Sequence, residues 1–354
     1  MDVARYLNEC RDLVLQQITE TIPKTSRYRP VLYDLVLDYP MREGKALRPA
    51  LCVAACRALG GRLEAVLPSA MVLELYHNAF LIHDDVEDGS EQRRGAATLH
   101  RTHGVPVAVN VGDAMLAMTL EPLLDNIRVV GLGKALRILR TIARMARESA
   151  EGQALELDWI RRDRWDLDDT DYVRMVYKKT GWYTFMAPLL VGATAAGASA
   201  EHLGELRNFG AVLGVAFQIQ DDVLNLTSDE GGYGKEIGGD LWEGKRTLIL
   251  MHALRQASPA ERDEAIAALA RRRVAVEANG SSSHDFAGAK TARDVEMVRS
   301  LIERRASIAY ARSVGMRWAH RAAVLLERTR GWLEPSVHRA FLESIVEFVI
   351  ARDR

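Results

Sequence analysis

Apolar residues return at helical spacing through most of this chain, as around 71–75, 80–81 and 302–308, while alternating strand patterns are scarce. That periodicity selects an all-α fold, a large bundle of about ten or more helices. Breaks are predicted at 60–61, Gly89, 104–106, 131–133, 231–234 and 280–283. The polar stretch 277–291 reads as a mobile connection rather than a boundary, so residues 1–354 are expected to form a single domain.

Charge and cysteine content narrow the function classes. With 47 Lys+Arg against 48 Asp+Glu, no nucleic-acid footprint exists at the level of net charge. Cys52 and Cys56 stand four apart, unlike a metal or redox pair, and Cys10 is isolated. All three are read as reduced core residues of a cytoplasmic protein. The start, MDVARYLNEC, carries charge too early for a signal peptide. The uncharged stretch 180–200 is rich in Gly, Ala, Thr and Ser and contains Pro188, so it is read as a buried core helix and not a transmembrane segment.

Against this background two acidic clusters stand out. A helix is predicted from Ser69, as N-cap after Pro68, to Asp88, with Gly89 as its stop. Asp84 and Asp88 are then an i,i+4 pair on one face, with Asp85 beside them, in the last turn where the helix dipole already disfavours acids. A solvated helix end does not explain why they follow the apolar run AFLI in register. The second cluster repeats the design: the apolar run AVLGVAFQI leads to Asp221 and Asp222, with Gln218 one turn before and Asn225 four after Asp221. Two such clusters repel if they face each other, unless a cation lies between. Mg²⁺ fits, because it uses one or two carboxylates per ion together with substrate phosphates and water.

Five short motifs stand in order over roughly residues 44–247: GKALRP, DDVEDGSEQRRG, KKTG, QDDVLN and GGDLWEGK. The chain thereby resembles the trans-isoprenyl diphosphate synthases of the polyprenyl synthetase family, most of all the geranylgeranyl diphosphate synthase branch. Asn225 in QDDVLN stands where many members have Asp, a variant at home in that branch.

The resemblance implies a head-to-tail condensation of isopentenyl diphosphate with an allylic diphosphate. Asp84, Asp85, Asp88 and Asp221, with Asp222 as a further candidate, would hold Mg²⁺, three ions per active site, so that the allylic C–O bond ionises. Lys179, Lys235 and Arg93 would neutralise the allylic diphosphate, with Lys245 assisting and Thr180 and Gln218 lining the site. Lys45, Arg48, His77 and Arg94 would form a metal-free pocket for isopentenyl diphosphate. The proton released on condensation would pass to the departing diphosphate, with no dedicated side-chain base. A homodimer is also implied.

Other features read as structural. The run Asp166, Asp168, Asp169 and Asp171 is a loop before a helix capped by Thr170. His83 reads as helix packing, and GLGK at 131 and GYGK at 232 lack the Ser or Thr of a phosphate loop. Asp240 stands either as a partner of Lys235 or of a metal-bound water. Trp182 and Tyr183 are bulky where smaller residues are common and are expected to narrow a cavity. Phe80 and Ala79, four and five residues before Asp84, would line the central cavity that the resemblance implies and bear on chain length. A bulky ring with a small neighbour falls between a C15 product and a longer one. The resemblance of HNAFLIHDDVED and QDDVLN to the geranylgeranyl branch tips the expectation to C20, with C15 the alternative. A class I terpene cyclase is a second reading, but it needs Ser or Thr at Asn225 and Glu at Asp229. A catalytically silent partner subunit is a third, although both acidic motifs survive here.

Overall fold

The computed structural model describes residues 1–42, 44–228, 238–271 and 289–351. Helices α1 (Val3–Thr21), α2 (Asp34–Met41), α3 (Leu47–Arg57) and α4 (Leu63–Asp88) come first. A hairpin, β1 (Gln92–Arg93) and β2 (Ala96–Ala97), precedes α5 (Leu99–His103), α6 (Val105–Met118), α7 (Leu120–Val130) and α8 (Leu132–Arg161). Next, α9 (Asp169–Val176) runs through a π-helical segment, Tyr177–Met186, into α10 (Ala187–Ala196), followed by α11 (Ala200–Thr227). The remainder is α12 (Gly239–Glu243), α13 (Leu248–Gln256), α14 (Pro259–Leu269), α15 (Ala292–Arg304), α16 (Ser307–Glu327) and α17 (Val337–Ala351). The all-α class read from the periodicity is the observed one. The small antiparallel hairpin, with Gln92 opposite Ala97, was not foreseen.

Two apolar cores flank α11. One gathers Leu51, Leu73, Phe185, Phe209 and Phe341 from α3, α4, the π-helical segment, α11 and α17. The other gathers Tyr172, Ile219, Val223, Leu250 and Leu301 from α9, α11, α13 and α15, and Trp318 packs against both. Glycines let backbones touch where site-bearing elements cross. A Cβ on Gly192 of α10 would lie 2.1 Å from the Cys52 carbonyl oxygen of α3. One on Gly214 of α11 would lie 2.7 Å from the Cα of Gly181. Gly214 is thus the packing requirement that seats the π-helical segment on α11, whereas a Cβ on Gly181, the glycine of KKTG, would meet only ordinary contacts at 3.5 Å or more.

Two sequence-based boundaries are corrected. Helix α4 starts at Leu63, with Pro68 inside it and Ser69 buried, where Ser69 Oγ accepts from Asn126 Nδ2 at 3.0 Å. The turn at Gly60 and Gly61 lets the helix begin early enough to bury Ala65 and Val66, against the one backbone hydrogen bond that Pro68 removes. Helix α9 is capped by Asp168, whose side chain accepts from Thr170 N and Asp171 N, with Asp171 completing the capping box; Thr170 is inside the helix.

The stretch 180–200 is buried for most of its length, though it begins as π-helix rather than as one continuous α-helix. By length and composition alone, α4 and the stretch 105–130 reach bilayer-spanning size. Helix α4 is mostly buried inside the protein, whereas α6 and α7 present an apolar face outward, including Leu120 and Leu124 at 57% and 60% exposure.

Candidate active site

The C-terminal turn of α4 splits its acids by direction. Asp85 is fully buried, and its carboxylate accepts from Tyr39 Oη at 2.6 Å and from Arg93 Nε at 2.9 Å, with a second, shorter Arg93 contact. Asp84 and Asp88 lie one turn apart on another face and meet lysines instead. Lys179 of the π-helical segment donates to Asp84 at 3.2 Å and is also paired with Glu156 of α8 at 2.5 Å. Lys245, which follows α12, pairs with Asp88 at 2.6 Å and with Glu243 at 2.7 Å.

The local backbone explains these directions. Gly89 takes a left-handed φ of 63° and stops α4, and the chain turns back at Arg94 and Gly95, with φ of 52° and 74°. Two successive positive φ values suit the tight two-residue hairpin. Arg42 clamps it, donating to the carbonyls of Arg93 at 2.9 Å and Ala97 at 2.8 Å. Arg93, the last residue of β1, turns to Asp85, while Arg94, in the left-handed turn that follows, donates to the Tyr39 carbonyl at 2.8 Å and approaches His77 Nε2 at 3.5 Å.

Charge and burial act strongly here. Burial pushes the Asp88 carboxyl up to about 7, with Lys245 opposing and Asp84 and Glu243 adding to the rise. Burial disfavours charge on Lys179, but Asp84 and Glu156 outweigh it and hold the ammonium well above its usual range. Lys245 behaves likewise between Asp88 and Glu243. Burial, followed by Asp240, raises Asp222 well above the carboxylate range, opposed by hydrogen bonds from Gln218 and Tyr172.

The second acidic cluster connects to the first through the π-helical segment. Thr180, next to Lys179, donates to Gln218 Oε1 at 2.6 Å; Gln218 donates to Asp222 at 2.8 Å, which also accepts from Tyr172 at 2.7 Å. Asn225 ties α12 to α11, its carbonyl accepting from Gly238 N at 2.8 Å and its side chain from Asp240 N at 3.2 Å. Asp221 is half-buried on the same end of α11. Lys235 lies outside the described residues.

A second basic group sits beside this. Arg48 is buried, donates to Thr184 Oγ1 at 2.8 Å and stacks 4.3 Å over the Tyr183 ring. His77 is buried, and burial together with Arg48 and Arg94 holds its pKa well below the usual range, so it is neutral. Gly44 lies flat on the Arg94 guanidinium, 2.8 Å from where a Cβ would meet it, and Lys45 stands exposed with Nζ 5.9 Å from the Phe348 ring. Phe80 is half-buried and meets both Tyr76 and Tyr183 edge-on at 5.8 Å, whereas Ala79 is fully buried in α4 packing. Trp182 goes into the core with Arg144 stacked on it at 4.6 Å, leaving Tyr183 alone of that pair beside Phe80.

This arrangement of paired acids, bridging lysines and a separate arginine group can be set beside known proteins. A polyprenyl synthetase family model matches residues 29–281. The chain belongs to that family. A short chain isoprenyl diphosphate synthase from Methanothermobacter thermautotrophicus is 31% identical over 100% of this chain and 98% of its own length. The crystal structure of a geranylgeranyl pyrophosphate synthetase from Pyrococcus horikoshii superimposes with a TM-score of 0.81 at 31% identity, covering 99% and 98% of the two chains. That of a geranylgeranyl pyrophosphate synthase from Corynebacterium glutamicum, complexed with isoprenyl diphosphate and magnesium, gives 0.82 at 26% identity over 99% and 100%.

In this member of the polyprenyl synthetase family, motif residues are also partners of one another. Asp85 and Arg93 form a buried ion pair. Glu156, Glu243, Tyr39 and Tyr172 hold site residues yet lie outside the acids and cations singled out in the sequence. Glu156 sits in GQALELDW on α8, and it becomes a partner of Lys179 only because α8 packs against the π-helical segment. Removing one partner of a buried ion pair leaves the other charge stranded. Asp85→Ala is therefore expected to destabilise the fold by about 3 kcal/mol. Asp84→Ala, which leaves Lys179 paired with Glu156, is expected to cost about 1 kcal/mol or less. Urea unfolding of both variants checks the contrast, and equal losses would remove Asp85 from its structural place.

Proposed function

We propose that this chain joins isopentenyl diphosphate to an allylic prenyl diphosphate by head-to-tail (1'-4) condensation, with geranylgeranyl diphosphate as the product. The observation that carries the reading is the pair of lysine bridges: Lys179 on Asp84 and Lys245 on Asp88 arrive from separate elements, the first tied to Asp222 of α11 through Thr180 and Gln218, the second to Asn225 of α11 through α12. The donor set is all carboxylate oxygen. Among the described residues no three acid, histidine or cysteine side chains form a ready-made ligand group. That suits Mg²⁺, three per active site, each ion taking one or two carboxylates and completing its shell with substrate phosphate and water. When bound, Mg²⁺ neutralises the allylic diphosphate so that its C–O bond can ionise.

The side chains then divide as follows. Asp84, Asp88 and Asp221 would hold the ions. Asp222 supports them through Gln218 and Tyr172, and Asp85 acts by fixing Arg93. Lys179 and Lys245 neutralise the allylic diphosphate, with Lys235 assigned there on its motif alone. Thr180 and Gln218 hold Lys179 in register. Lys45, Arg48 and Arg94 bind the isopentenyl diphosphate, and neutral His77 serves there as a hydrogen-bonding group rather than as a charge. One domain for residues 1–354 is supported by α11 and Trp318 serving both cores. The three buried free cysteines go with a reducing, cytoplasmic setting.

Incubation with farnesyl and isopentenyl diphosphates and Mg²⁺ tests the reading. An elongated diphosphate supports it, a cyclic hydrocarbon makes the chain a cyclase, and no product makes it a silent subunit. Asp84→Ala, though folded, should lower turnover by about a hundredfold or more.

Chain length rests on the ring cluster of Tyr76, Phe80 and Tyr183, which closes the direction in which a tail would leave Asp84 along α4. Opening its centre with Phe80→Ala should lengthen the product by about one isoprene unit. An unchanged distribution in chromatography of the dephosphorylated products would free Phe80 of that role, and a C15 wild-type product would favour the farnesyl alternative.

The outward apolar face of α6 and α7 is assigned to a second copy of this chain. It carries Val105, Val109, Leu120, Leu124 and Ile127, each more than a third exposed. Light scattering at micromolar concentration should give the dimer mass, and Leu120→Glu with Leu124→Glu should shift it to monomer.

A further inference from the structure

Lys290 lies beyond the residues matched by the family model, in the two-residue approach to α15, and it is buried. Its Nζ donates to the carbonyl oxygens of Leu241 at 3.0 Å and Trp242 at 2.9 Å, near the C-terminal end of α12. A buried ammonium is costly without partners, and here its partners include two carbonyls that a helix terminus leaves unsatisfied. Its charge also opposes the negative end of the helix dipole.

Helix α12 depends on such outside support. It has five residues, too few to be stable alone, and both flanking glycines, Gly238 and Gly244, have left-handed φ values of 70° and 73°. Asn225 holds its N-terminal end. At the other end, Lys245 N donates to the Asp240 carbonyl at 2.9 Å, and buried Arg246, stacked 3.8 Å over Trp165, donates to the Gly244 carbonyl. Lys290 takes the two carbonyls between. What this short helix delivers is Glu243, its last residue, and Lys245, whose Nζ is shared between Glu243 and Asp88. Glu243 also accepts from Ser90 Oγ at 3.3 Å, just past the end of α4. A shift of α12 therefore moves the cation and the carboxylate that flank Asp88 together.

We infer that Lys290 is a positioning residue for prenyl transfer: by holding the Leu241 and Trp242 carbonyls, it sets where Lys245 meets Asp88 and the allylic diphosphate. This rests on the proposed function. The isopentenyl diphosphate group, built on α3, α4 and the hairpin, is reached from α12 through the Ser90–Glu243 contact and not through Lys245, and should be affected far less.

Lys290→Met and Lys290→Arg, assayed as full-length protein, test it. Lys290→Met should raise KM for the allylic substrate by about tenfold, the effect of misplacing one charge-assisted contact, with KM for isopentenyl diphosphate within about twofold of wild type. Calorimetric binding of inorganic pyrophosphate with Mg²⁺, which needs no turnover, should weaken by a similar factor. Lys290→Arg, which keeps a charged donor, should restore both. A lowered melting temperature with both KM values and pyrophosphate affinity unchanged would make Lys290 merely structural and overturn the inference, as would equal increases in the two KM values. If Lys290→Met does not fold, Lys290→Gln, which keeps a donor and loses the charge, carries the same comparison. Failure of the wild-type protein to elongate any prenyl diphosphate would instead overturn the proposed function, and the two failures are distinguishable because the wild type is assayed first.

Discussion

Negative charge concentrated at the wrong end of a helix is the constraint on which this structure turns. The 26-residue α4 ends with Asp84, Asp85 and Asp88, where its own dipole is negative and the carboxylates repel one another. Each acid is met by a cation from a different part of the chain. Arg93 comes from the hairpin directly after α4, Lys179 from the π-helical segment, and Lys245 from beyond α12. The elements bearing those cations are in turn anchored by Arg42, by the glycine contacts at Gly152 and Gly181, and by Asn225 with Lys290.

The two lysines differ from Arg93 in a way that matters for chemistry. Arg93 is bidentate on one buried carboxylate, the geometry for which a guanidinium is suited, and that pair is part of the framework. Each lysine is instead shared between a motif aspartate and a glutamate from another helix, Glu156 or Glu243. A point charge held on two sides can remain in place when one partner engages a ligand. The glutamates thus fix each lysine on a second side, independently of its aspartate.

The π-helical segment is the other organising element. Its wider turn presents Lys179, Thr180, Tyr183 and Thr184 to three tasks: pairing with Asp84, bonding to Gln218, and stacking or bonding with Arg48. Lys178, its neighbour, points away to Glu148 and Glu151 on α8. Tyr183 lies against Arg48, His77 and Phe80 at once, so the buried arginine–histidine group and the ring cluster of Tyr76 and Phe80 share a wall. Such π-helical turns recur at functional sites because they re-aim side chains that a regular helix would bury.

By itself the sequence determined the helical class, through its periodicity, and the composition of the site, through acids and basic residues whose types and order admit little besides metal-assisted diphosphate chemistry. Gly89 as the stop of α4 was legible, because only a left-handed residue ends a helix in that way. The start of α4 was not: Pro68 and Ser69 look like a helix beginning, but burial of Ala65 and Val66 overrides that local signal. Nor was the split among the acids. Successive residues in a helix differ in direction by about 100°, so adjacent Asp84 and Asp85 must face different neighbours. Which of them faces the cavity depends on Tyr39, Arg93 and Lys179, residues brought there by packing, and spacing along the chain carries no record of it. The same holds for Glu156, Glu243 and Lys290, whose roles exist only where distant helices meet. Sequence supplies the charges; tertiary structure decides which charge meets which, because electrostatic partners are set by distance in space.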